Sequence, residues 1–121
     1  KAISEDSGGG ISADQPKLDK NLNTAALPGF FSGFAPKNHS DKILIFLKFL
    51  IEELDIANPN TDQVYTCYKA VGEKFPQAFK QAFHTANTQH GYIDFKSATD
   101  ISIPIAGENR FAHGLKKKPV E

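Results

Sequence analysis

The stretch "KFPQAFKQAFHTANTQHGY", Lys74 to Tyr92, sets amide, ammonium, imidazole and hydroxyl groups among regularly spaced apolar residues. At about 100° per residue, Phe79, Ala82, Phe83 and Ala86 fall on one side of a helix, and Gln77, Lys80, Gln81, His84 and Thr88 collect on the other. The chemistry of that second side is recognition by hydrogen bonding rather than bond breaking. Glutamine can pair with adenine edges, and lysine with guanine or with phosphate. An ordinary solvated helix face carries the same residue types, so the segregation establishes one core face and one face for solvent or a partner.

Other chemistry is weakly represented. His39, His84, His90 and His113 are scattered, and none forms a pair with the spacing of two metal ligands on one helical face. There is no G-x-S-x-G and no phosphate-cradling glycine loop. "SGGG" lies in a polar leader and reads as a flexible joint. Glu52 and Glu53, at the end of a helix, read as solvated surface. Cys67 shares an apolar stripe with Val64, Tyr68 and Val71, which makes it a small core residue rather than a nucleophile. The expectation is a non-enzymatic protein with no catalytic residue, metal, cofactor or small-molecule substrate.

The elements that must position the Lys74–Tyr92 face follow from pattern and punctuation. A first long helix is expected from Asp41 to Leu54, with Ser40 as N-cap and Asp41 at the positive end of the helix dipole. Ile43, Leu47, Leu50 and Leu54 form its stripe, and Leu44, Phe46 and Ile51 widen it until the helix belongs in the middle of a domain. A second helix is expected to start after Asn60 or Thr61 and to stop before Gly72. A third is expected to begin with Pro76 in its first turn. After Gly91 the period shortens: "YIDF" and "DISIPI" read as two strands, the latter alternating Ile101, Ile103 and Ile105, joined by a turn at "KSAT". Pro104 limits the second strand because it cannot donate to a ladder. "AGENRFAHGL" is expected to add one short turn of helix.

A chain of 121 residues with 40% hydrophobic content suits a single core. Residues 1–26 are polar and glycine-rich and are expected to be a disordered leader or linker inside a larger polypeptide. The domain is expected over residues 27–115, where Phe30, Phe31 and Phe34 form an aromatic arm packed on the core, and 116–121 is a basic tail. The 14 basic and 14 acidic residues cancel, so net charge drives the chain toward neither nucleic acid nor an anionic membrane. The most apolar run, "ILIFLKFLI", spans nine residues and contains Lys48, against about 20 for a membrane-spanning helix. With a single cysteine, no internal disulfide is available, and a soluble, cytoplasmic protein is expected.

Three helices, a tight turn before the third, and a two-stranded hairpin make up the element order of a winged helix-turn-helix domain, a mainly α class with a small β hairpin. The segments "PKNHSDKILIFLKFL", "TDQVYTCYKAVG", "FPQAFKQAFHTANTQHGYID" and "ISIPIAGENRFAHGL", with a Gly-Glu after the wing, resemble a group of bacterial winged-helix domains attached behind other modules. The resemblance covers about residues 36–115. It implies a nucleic-acid surface, duplex DNA foremost, made by Lys74, Gln77, Lys80, Gln81, His84 and Thr88 with Lys96 on the wing. Winged helices also serve as protein-docking modules. The few cations on this third helix and wing, with Glu73 beside the helix entrance, keep a protein partner, dimerisation or a purely structural role open.

Overall fold

The computed structural model describes residues 11–115, so the first ten residues of the expected leader and the basic tail, including Lys116 to Lys118, lie outside the described residues. The order is α1 (Leu27–Phe31), α2 (His39–Lys48), a π-helical turn over Phe49–Glu53, α3 (Thr61–Val71), α4 (Phe79–Thr88), β1 (Asp94–Ser97), β2 (Asp100–Ser102) and α5 (Ile105–Gly114). The protein is therefore mainly helical, with a two-stranded antiparallel sheet.

α2 is the centre. Every residue from Ile43 to Leu50 is buried, Lys48 included, and α3, α4 and α5 all pack against this helix. Its N-cap is Asn38 rather than the expected Ser40. Asn38 takes the extended backbone a cap requires and accepts from the Asp41 amide at 2.9 Å, whereas Ser40 is already helical and buried. Nor does the regular α-helix reach Leu54. It gives way after Lys48 to the π turn, whose last amide bond runs from Leu54 N–H to the Phe49 carbonyl at 3.2 Å.

α3 has the expected limits. Asn60 and Gln63 form a reciprocal capping box at 2.9 and 3.0 Å, and Gly72 closes the helix in the left-handed region at φ 72°. α4 starts later than expected. Pro76 is buried outside the helix, because the preceding segment seats Phe75 against Tyr65, ring centroids 4.4 Å apart, and the helix begins only after Ala78. Its inward residues Phe79, Phe83 and Ala86 are buried as the periodicity predicts. Phe79 packs edge-on against Tyr65 and Tyr68, and Phe83 meets Phe95 of the hairpin at 5.2 Å.

In the hairpin Phe95 pairs with Ile101 and both point inward, while Asp94, Lys96 and Asp100 are exposed. Pairing ends at Ser102. Pro104 becomes the N-cap of α5, so Ile105 is the first residue of a helix, 77% exposed, rather than the last inward residue of a strand. α5 is ten residues long where a short turn was expected. Two ionic ties hold it to α2. The fully buried Asp41 carboxylate accepts from Arg110 Nε at 3.1 Å and Nη2 at 2.8 Å, and from the Lys37 amide at 2.9 Å. Lys48 donates to Glu108 at 2.6 Å and to Glu52, with its ammonium 5.0 Å from the Phe111 ring centre. Burial pulls the Lys48 ammonium down, but the bonds to Glu108 and Glu52 outweigh it and hold the group above its ordinary value. The Asp41 bonds likewise raise Arg110.

The aromatic arm is helical in its first half. Phe30 lies 5.3 Å from Phe49, Phe31 5.3 Å from Phe46, and Phe34 4.9 Å from Phe111. Residues 11–26 form no helix or strand, yet they run along the body of the domain: Ala13 is 5% exposed, the Lys17 amide donates to Asp62 at 3.0 Å, and the Asp19 amide donates to Thr66 Oγ1 at 2.8 Å.

Candidate nucleic-acid interface

The outward face of α4 is set by the anchoring of its inward face. With Phe79, Phe83 and Ala86 fixed in the core, helical geometry turns Lys80 and Gln81 to solvent at the N-terminal half and Thr88 at the far end. His84 lies between these faces, half-buried and edge-on to Phe95 at 5.1 Å.

Five of the seven expected site residues come together in two adjoining open grooves. One, about 420 Å³, is bordered by Gln77, Lys80, Gln81 and His84 with Asp14. The other, about 400 Å³, lies between α4 and β1 and is bordered by Lys80, His84 and Lys96 with residues 11–14. Lys80 and His84 line both, so the helix face and the hairpin form one surface. Lys74 and Thr88 stand apart from it. Lys74 is exposed in the loop before α4, and the Thr88 hydroxyl donates back to the His84 carbonyl at 2.7 Å, one turn earlier on its own helix. Glu73, at the helix entrance, pairs with Lys42 of α2 at 2.9 Å.

The residue that sequence reasoning missed is Asp14, whose carboxylate lies 3.6 Å from Lys80 Nζ. Nothing in the local pattern marks it, because a lone acid in a polar run carries no periodicity. Its presence makes the charge of this surface mixed: Asp14 borders both grooves, and its carboxylate stands beside Lys80. Such a surface can hydrogen-bond extensively, but it attracts a polyanion only modestly.

Elsewhere, the buried Cys67 thiol is pushed up to about 12 by burial, which keeps it protonated at neutral pH. His39 Nδ1 lies 2.9 Å from the Tyr68 hydroxyl. Among the described residues no group of three or more His, Cys, Asp or Glu side chains is placed to hold a metal ion, and no helix is long and apolar enough to cross a membrane. The chain matches no protein-family model, no curated protein and no solved structure.

Proposed function

We propose that this domain is a non-enzymatic nucleic-acid-binding module of winged-helix type, with duplex DNA as its ligand. In this reading α4 is presented to the major groove and the β1–β2 hairpin acts as the wing. The observation that carries it is the continuity of the α4 face with the hairpin: Lys80, Gln81 and His84 of the helix, and Gln77 from the segment just ahead of it rather than on it, share one grooved surface with Lys96. The amides suit base edges, and Lys80 and Lys96, with Lys74 nearby in sequence, suit phosphates.

Fluorescence anisotropy with labelled duplex at low salt tests this. Two lysine–phosphate contacts, from Lys80 and Lys96, imply a log–log salt slope of about −2. Lys80→Ala and Lys96→Ala are expected to weaken binding to all sequences and to reduce that slope by about one each, whereas Gln81→Ala is expected to blunt sequence preference. Absence of binding to duplex or single strands at roughly tens of micromolar, where non-specific contacts register, overturns the proposal.

A second reading, docking of a protein partner, is favoured by a groove of about 330 Å³ on the other side of α4, bordered by His39, Pro76, Ala82, Thr85 and His90, which shares Ala78 and Gln81 with the first groove and exposes mostly apolar surface. Substitution at His90, which is exposed and borders this groove but neither of the other two, is expected to disturb such a partner and leave duplex binding intact.

A further inference from the structure

We infer that residues 11–19 are an intramolecular strap that competes with nucleic acid for the α4–hairpin surface, an inference that rests on the nucleic-acid reading above. The strap is tied down at one end and seated at the other. The Lys17 and Asp19 amides are fixed to Asp62 and Thr66 of α3. From there the chain crosses to the groove between α4 and β1, where Ala13 is buried and residues 11–14 line the wall opposite Lys80, His84 and Lys96.

Asp14 then occupies the position a phosphate would need. It sits 3.6 Å from Lys80 and also borders the groove of Gln77 and Gln81. A duplex drawn to Lys80 and Lys96 meets both the bulk of residues 11–14 and an acid of its own sign. To engage the full face it must lift this end and break the Asp14–Lys80 pair, while the anchors at Lys17 and Asp19 act as the hinge.

The latch is weak by construction. The two side chains of the pair are 69% and 47% exposed, and exposed pairs of this kind change an equilibrium by only about twofold to fivefold. Among the described residues 11–14, only the small Ala13 side chain is buried. The strap therefore tunes affinity and does not abolish binding.

Charge and seating have to be separated, because removing a carboxylate favours a polyanion whether or not a strap exists. Ala13→Gln separates them: it is neutral, and its amide cannot be accommodated at a buried site, so it unseats residues 11–14 without altering charge. Asp14→Asn is the companion variant, and thermal melts of both establish that the body stays folded. We expect Ala13→Gln to bind labelled duplex about twofold to fivefold more tightly than the unaltered chain, with Asp14→Asn at least as tight. We also expect the Ala13 methyl resonance of the unaltered chain to move to its solvent-exposed position as duplex is added. If duplex binds the unaltered chain and Ala13→Gln equally, with the Ala13 methyl unmoved in the complex, the strap is refuted and the nucleic-acid reading survives. If neither variant nor the unaltered chain binds duplex, the nucleic-acid reading itself fails and takes the strap's role with it.

Discussion

Arg110→Met tests the tie between the last helix and the central one. Asp41 has no solvent exposure, and its two carboxylate oxygens receive three donors, two from Arg110 and one from the Lys37 amide. The substitution keeps an unbranched apolar stem but removes two of these three donors and, among the described residues, the one countercharge in contact. Breaking a buried ion pair from one side costs about 3–5 kcal/mol, because the remaining charge stays desolvated. The Arg110 side chain is 22% exposed, so water can enter from that side, and the low end, about 3 kcal/mol, applies. In a domain of this size that is a fall of about 10–20 °C in melting temperature. The assay is urea denaturation of four proteins: the unaltered chain, Arg110→Met, Asp41→Asn and the double variant. Neutralising Asp41 removes the stranded charge, so the double variant is expected to be little less stable than Asp41→Asn alone, with a coupling energy of about 2 kcal/mol. A loss below about 1 kcal/mol for Arg110→Met, with coupling inside the roughly 0.5 kcal/mol scatter of independent sites, would refute the clamp.

Three further outcomes are expected. Phe83→Ala empties a fully buried site between Phe79 and Phe95 and should cost about 3–5 kcal/mol in the same denaturation assay, with a mild effect showing that α4 is rotated from its stated phase. Gly107→Ala should destabilise by about 1–3 kcal/mol, because the added methyl would run into the Tyr92 carbonyl and come 2.8 Å from Ile103 Cγ2. His39 is held below its ordinary 6.5 by burial and then by Lys42, with Glu73 opposing, and its Nδ1 is bonded to Tyr68. The unfolded chain therefore takes up the proton first. This contribution to stability is complete well above pH 6.5 and declines as the pH falls through about 6.5 toward the lowered folded value. Denaturation from about pH 7.5 to 5.5 should show that slope, and His39→Asn should flatten it.

What the sequence reveals depends on how far each interaction reaches. α3 is legible at both ends because Asn60, Gln63 and Gly72 act on amides and carbonyls within a turn of themselves. The inward face of α4 is legible for a similar reason: Phe79, Phe83 and Ala86 repeat at the helical period, which also fixes Lys80 and Gln81 on the outside. The seating of Ala13 and Asp14 is not legible, since one small side chain and two backbone amides anchor that segment to residues 45 and 47 positions away. Gly107 and Glu108 fall between these cases. The Gly-Glu pair stands out as a pattern, but its work is distant: Gly107 allows close approach to the Tyr92 backbone, and Glu108 reaches Lys48.

The two ties between α5 and α2 also set an order of events as the chain is made. They join residues 69 and 60 positions apart, and at roughly 5–20 residues per second the Asp41 carboxylate waits about 3–14 s for its arginine. Through that interval the most apolar helix among the described residues carries two hydrated charges, Asp41 at its start without its arginine and Lys48 at its end with only the exposed Glu52 beside it. They guard it as gatekeepers against association with other unfinished chains. Arrival of α5 supplies Arg110 to the one and Glu108 to the other, so the event that covers the helix is also the one that removes its protection.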